Sequence, residues 1–330
     1  MVLNALLVAA LSAQSGEASL QTCLAAAADY SPVYATAVFT ATSPEIDAVF
    51  RFADGEHHAK LTAKWIAVDV GASAPANSLA GTNALTLARN TAAGVLRLEL
   101  RRGFPPGQYR LEVSADGRPW RSVAFQVVPA SGGGLASLAG LMPLATGTVW
   151  TYSFVQAAGG IAKISAAPPG ATLGADGTVR ATVTATVAGT DAQGVRVAWA
   201  RGGVPFTDEW WRLTPGGLAA VKRGAGGETL VLDPPQVLFP WPVATARRWQ
   251  YVSRDHPLRQ SYRLWGPVPV TGPSGAAPGY VILVEQKLPM GATTVEREYL
   301  PGVGMVHSLA ITGVGAERVN REELVLTSVR

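Results

Sequence analysis

The chain has one cysteine, Cys23, among 330 residues. A single thiol excludes an internal disulfide and any CxxC metal site. Charge is also scarce: 15% of residues are Asp, Glu, Lys or Arg, and no basic run exceeds two residues. Nucleic-acid binders cluster positive charge on a stripe or patch. A net charge of +4 spread along the chain argues against such a partner. No stretch of eighteen apolar residues is present, so no transmembrane helix is expected in the mature protein. The HExxH, GxxxxGK[ST] and G-x-S-x-G patterns are absent too, which removes the commonest zinc-protease, nucleotide and serine-hydrolase signatures. What is abundant is turn chemistry. The chain has 36 glycines and 23 prolines with no triplet period, and its apolar fraction is 48%. That composition describes packed β-structure with many reversals.

The N-terminus carries the apolar run Ala5-Leu-Leu-Val-Ala-Ala-Leu11, followed by Ser12 and Ala13. It is too short to span a bilayer and matches the core of an export signal. Residues 1–19 are therefore expected to be a signal peptide, and the protein to be exported from a bacterial cell, into the periplasm or beyond. Cys23 follows Leu20-Gln-Thr. The small residues expected before a lipidated cysteine are missing, so a free or buried thiol is the expected state.

Residues 20–129 alternate at period two between turn signals. Leu96-Arg-Leu-Glu-Leu100, Tyr109-Arg-Leu-Glu-Val113 and Val123-Ala-Phe-Gln-Val127 each place apolar residues on one face. Phe104-Pro-Pro-Gly107 and Asp116-Gly117 supply the reversals. Ala35 to Thr42, Ala48 to Phe52 and Leu61 to Val70 read as further strands, and about seven strands in a hundred residues predict a β-sandwich. Asp54-Gly-Glu-His-His58 is the one stretch with metal-ligand residue types. However, His57 and His58 are neighbours, and adjacent strand residues face opposite ways. They are weak candidates; the stretch reads as an exposed hairpin tip, and neither a metal nor a cofactor is expected.

Residues 130–139 contain Ser131-Gly-Gly-Gly134 and read as a flexible tether. Beyond it, Pro143-Leu-Ala-Thr-Gly-Thr-Val-Trp-Thr-Tyr152 returns ninety-nine residues later as Pro242-Val-Ala-Thr-Ala-Arg-Arg-Trp-Gln-Tyr251. Pro215-Gly216 follows the first copy and Pro301-Gly302 the second. Residues 140–330 therefore read as a duplicated β unit of ten to twelve strands, which should curl into a barrel or half-barrel. Seven of the nine tryptophans lie here. Trp150 and Trp249, at equivalent repeat positions, are expected to plug the core of each half. Trp210 and Trp211 must face opposite ways, so one points inward. That pair is the candidate for an apolar ligand. Glu296 and Glu298 share a strand face with Arg297 opposite, and that face is expected to be solvated. His307 is expected to be a satisfied or surface residue.

Two resemblances attach to these motifs. Pro106-Gly-Gln-Tyr-Arg-Leu-Glu-Val113 with Asp116-Gly117 resembles the last hairpin of bacterial immunoglobulin-like domains. Trp249-Gln-Tyr251 with Tyr299-Leu-Pro-Gly-Val-Gly304 resembles a group of uncharacterised bacterial exported proteins, distantly similar to the half-barrel of LolA-type lipoprotein carriers. The second resemblance implies an envelope location and apolar-ligand binding, and it supplies no catalytic residues. The expectation is thus an all-β protein: an N-terminal immunoglobulin-like β-sandwich plus a C-terminal duplicated antiparallel curved sheet or half-barrel. Its expected role is non-enzymatic, with an envelope protein or an apolar small molecule as partner. A carrier of a lipid is the first alternative and a hydrolase the second.

Overall fold

The computed structural model describes residues 16–100, 103–129, 135–160, 162–243, 247–255, 258–314 and 317–330. The apolar run at 5–11, the glycines at 132–134 and His256 lie outside the described residues. The fold is all-β, and the strands fall into two smaller sheets and one large barrel-like sheet.

The N-terminal strands are β1 (Ser19–Ala26), β2 (Pro32–Ala35), β3 (Val38–Thr40), β4 (Ile46–Arg51), β5 (Lys60–Asp69), β6 (Ser78–Thr86), β7 (Ala93–Leu98), β8 (Gly107–Ala115) and β9 (Arg118–Val128). They form sheets of order β2-β1-β4-β7 and β3-β9-β8-β5-β6. Only β3 runs parallel to its neighbour, β9. On the apolar face of the second sheet Phe125 stacks on Tyr109 at 5.2 Å and meets Trp65 edge-on at 5.9 Å. Buried aromatic rings of this size supply much of the burial in a thin β-layer.

The remaining strands are β10 (Val149–Ala158), β11 (Thr172–Leu173), β12 (Val179–Asp191), β13 (Gly194–Arg201), β14 (Val204–Thr214), β15 (Gly217–Ala225), β16 (Glu228–Pro240), β17 (Arg248–Val252), β18 (Arg259–Gly272), β19 (Gly275–Leu288), β20 (Gly291–Leu300), β21 (Gly304–Val314) and β22 (Glu317–Val329). Twelve of them follow one path, β16-β15-β14-β13-β12-β10-β22-β21-β20-β19-β18-β17, with β11 off the path on β12. The duplication seen in the sequence is the duplication of this path. Each half is a six-stranded antiparallel meander, opened by β10 in one half and β17 in the other. Gly202-Gly203 and Gly226-Gly227 make two of the tight turns of the first half with positive φ at both residues, the conformation of a type I′ hairpin loop.

The two halves join differently at their two junctions. β22 pairs with β10 over nine positions. Among the described residues β16 and β17 share no ladder. Pro234 and Pro235 lie within β16 and bring no N–H to a neighbouring strand. β17 has only five residues. The gap is bridged mainly by side chains: Trp249 Nε1 donates to the Val237 carbonyl at 3.1 Å, and Gln236 Nε2 lies 2.6 Å from both Gln260 Oε1 and the Tyr262 hydroxyl. The barrel is nearly closed, with one seam.

The N-terminal sandwich docks on the outer face of β18–β20. Tyr280 to Val284 are all buried because alternate residues face the barrel interior and the sandwich. Hydrogen bonds cross this contact as well. Ala28 N donates to Thr294 Oγ1 at 3.0 Å, and Tyr34 N to Glu296 Oε2 at 3.2 Å. Tyr34 also hydrogen-bonds the Pro269 carbonyl through its hydroxyl. Over its described residues the tether is held against the barrel: Leu135 N donates to the Tyr280 hydroxyl at 2.8 Å, and a 3-10 turn at Leu138–Gly140 leads into buried Leu141 and Met142.

Candidate functional site

Strand alternation turns Trp150, Tyr152 and Phe154 of β10 into the barrel. Trp150 Nε1 donates to the Val303 carbonyl at 2.7 Å, and the Tyr152 hydroxyl to the Met305 carbonyl at 3.1 Å. These bonds pin the wall to the β20–β21 turn. Met142 enters from the tether. Gly304, with φ +96°, passes it so closely that a Cβ there would lie 3.0 Å from Met142 Cβ. Above this floor lies a cavity of about 280 Å³, walled by aromatic rings that include Phe154, Trp199, Phe206 and Trp211.

Five charged side chains also line it: Arg201, Glu209, Arg223, Arg297 and Glu322. Glu209 is fully engaged, accepting from Arg223 Nε at 2.7 Å and from Trp211 Nε1 at 2.9 Å. Glu322 Oε1 accepts from Gln156 at 3.2 Å and Asn320 at 3.0 Å. Among the described residues no carboxylate pairs with Arg201. Its guanidinium lies 4.7 Å from the Phe206 ring centre and 5.5 Å from that of Phe154, a cation–π setting. Its Nε is buried without a hydrogen-bond partner, and so is the Nε1 of Trp199. Burial raises the pKa of Tyr152 and of Tyr299, so both phenols remain protonated.

The two candidate tryptophans separate. Trp211 lines the cavity. Trp210 is on the opposite face, where its Nε1 donates to Asp191 Oδ2 at 2.9 Å and Lys222 Nζ stands 4.3 Å over its ring. Trp150 is buried in the first half, whereas Trp249 is only partly buried and stacks on Tyr262 at 4.8 Å beside the seam. The equivalent tryptophans thus do different work. Trp199, Arg201 and Arg297 were not singled out by the sequence. The available signal was Trp199 and Arg201 two apart on a strand, with Arg201 on what should have been the core face.

His57 and His58 do not converge. His57 is exposed, and His58 sits between Glu56 Oε1 at 2.9 Å and Asp116 Oδ2 at 3.0 Å. Among the described residues, the one group whose donor atoms come within 4.8 Å of each other is Glu296, Glu298 and His307. It lies on the outer face of the barrel. The expectation of a solvated face fails here, because Tyr34 of the sandwich covers it and Glu296 is 4% exposed. His307 Nδ1 faces Glu298 at 2.9 Å and Nε2 faces Glu323 at 3.1 Å. Burial lowers its pKa, but the bonds to Glu298 and Glu323 outweigh this and raise it to about 10. Burial and the Glu298 charge push Glu296 up to about 8. At neutral pH His307 is an imidazolium whose two nitrogens donate to Glu298 and Glu323. Cys23 sits within β1, fully buried, with its thiol pKa raised by that burial.

No protein-family model matches the chain, and no curated protein matches it. Among solved structures, a "putative lipoprotein" from Parabacteroides distasonis aligns at 13% identity over 57% of this chain and 97% of its own, with a TM-score of 0.29. A "putative exported protein with YmcC-like fold" from Bacteroides fragilis aligns at 13% identity over 58% of this chain and 98% of its own, with a TM-score of 0.28. The likeness is loose and carries no function across.

Proposed function

We propose that this is a non-enzymatic, exported bacterial envelope protein that binds a small apolar or amphipathic molecule inside its C-terminal barrel. The observation that carries this reading is the aromatic-walled cavity of about 280 Å³; two of its lining residues, Trp199 and Arg201, each also hold a buried nitrogen with no hydrogen-bond partner among the described residues. A packed interior normally pairs its buried donors. The volume is near the lower end for small-molecule sites. The expectation of export rests on the apolar run at 5–11. The hydrolase alternative is disfavoured: in the carboxylate and histidine cluster Glu296 is buried against Tyr34, and both ring nitrogens of His307 are engaged by Glu298 and Glu323.

The test is native mass spectrometry of the protein purified from its own envelope fraction, with tryptophan emission followed as bound species are stripped. A co-purifying small molecule whose removal shifts the emission supports the reading. A ligand-free protein that also shows no emission change with aromatic or aliphatic test compounds overturns it.

A further inference from the structure

The charges inside the barrel do not balance. Three arginines, Arg201, Arg223 and Arg297, line the cavity against two carboxylates, Glu209 and Glu322. Both carboxylates already hold hydrogen bonds from protein donors, and only Arg223 is paired with one of them. One positive charge is left over inside an apolar enclosure, where an unpaired charge is costly.

The unpartnered donors lie beside that surplus. Trp199 and Arg201 are two residues apart on β13 and face the same cavity. Same-face strand neighbours are about 7 Å apart at their Cα atoms, so once the side chains shift to uncover these two buried nitrogens, the indole N–H and the guanidinium can donate to the two oxygens of one group. Phe206 and Phe154 hold the guanidinium in place. The Trp199 ring is itself held by its stack on Tyr152 at 6.1 Å. Trp199 Nε1 and Arg201 Nε have no acceptor of their own.

We infer that the molecule held in the barrel is an organic monocarboxylate with an aromatic or medium-length aliphatic body, and that Trp199 and Arg201 receive its carboxylate. This rests on the barrel interior being the ligand site. The cavity, about 280 Å³, is roughly twice the 150 Å³ of an engineered cavity that takes up benzene. That accommodates a ring with a short chain, or an aliphatic chain of comparable bulk.

The experiment is isothermal titration of the full chain at neutral pH with two matched pairs, octanoate against octanol and phenylbutyrate against phenylbutanol. The carboxylates are expected to bind about ten- to a hundredfold more tightly than their alcohols, the range for a hydrogen bond to a charged group. Arg201→Met should bring each pair to parity while leaving alcohol binding in place, which also shows that the variant is folded. Trp199→Phe should narrow the preference without abolishing it. Equal affinities in the unaltered protein, or an undiminished preference in folded Arg201→Met, would overturn the anion inference and leave an apolar site standing. If neither class binds at millimolar concentration and tryptophan emission does not move, the ligand-site reading falls and the inference falls with it. Should Arg201→Met not fold, the comparison in the unaltered protein decides alone.

Discussion

Arg263 on β18 of the barrel forms an ion pair with Glu45 of the N-terminal sandwich, and Glu45 is completely buried. The same carboxylate accepts from Arg248 at 2.8 Å and lies 3.9 Å from Arg97, which grips Asp47 at 2.7 Å. Glu45 thus meets two arginines across the junction, Arg248 and Arg263, while Arg97 on β7 of its own sheet stands behind it and holds Asp47.

Removing the shared acceptor should be far worse than removing one exposed donor. Glu45→Gln leaves arginines facing a neutral amide and is expected to cost about 3–5 kcal/mol, the range for breaking a buried pair. Arg248, whose side chain is 55% exposed, should cost under about 1 kcal/mol when replaced by alanine. Urea unfolding of both variants checks the contrast. Equal losses would mean that the network is not centred on Glu45.

A second prediction separates the adjacent tryptophans. With octanoate as the probe, Trp210→Phe should keep the ligand-dependent change in emission, because Trp210 lies outside against Lys222. Trp211→Phe should diminish it, since Trp211 lines the cavity. Fluorescence titration of the two variants reads this directly.

The third concerns pH. His307 has its folded-state pKa raised to about 10 and Glu296 to about 8. Both groups bind protons more tightly folded than unfolded, so stability must fall as pH rises. The Glu296 contribution declines between its ordinary range near 4.5 and about 8, and the His307 contribution between about 6.5 and about 10. Glu323, whose pKa is lowered by its bond to His307, acts in the opposite sense and only in acid. Thermal melting from pH 6 to pH 10 should show a falling Tm, and the slope should flatten in His307→Gln. An unchanged slope would show that His307 does not titrate as the geometry requires.

The fourth separates backbone strain from packing in the Leu300-Pro-Gly-Val-Gly-Met305 turn. Gly302 and Gly304 both have positive φ, but a Cβ on Gly302 meets nothing within 4 Å, whereas one on Gly304 presses on Met142 and Trp150. Each alanine substitution pays the conformational cost, about 1–3 kcal/mol. Gly304→Ala should lose more than Gly302→Ala, and the excess should appear as altered Trp150 emission. Denaturation of both variants, followed by fluorescence, gives the difference.

Much of this architecture was legible because each half repeats it. Pro143–Tyr152 and Pro242–Tyr251 mark the opening strand of each meander, and the two Pro-Gly turns mark the same reversal in each. The strands that sequence reading missed lie mostly at edges. β6 is the outer strand of its sheet and β16 the last strand on the barrel path. An edge strand need not alternate and can contain proline, so Ser78–Thr86 and Pro234-Pro235 look like loop. The docking face was misread for a related reason. Glu296 and Glu298 look solvated when their strand is considered alone, and only the continuous run Tyr280–Val284, buried on both sides, announced a second layer. The charge surplus of the cavity was beyond sequence reading, because it depends on β10, β13, β14, β15, β20 and β22 converging across long separations.

The break between β16 and β17 makes the barrel a scroll rather than a tube. A tube can widen only by tearing a ladder of main-chain bonds along its whole length. A scroll changes its circumference by releasing the bonds laid across its lip, those of Trp249 and Gln236 and the main-chain bond and ion pair of Arg254 to Asp233, each worth about 1 kcal/mol. The lip, and not the floor at Met142, is therefore the part of the wall whose opening leaves every main-chain ladder of the barrel intact.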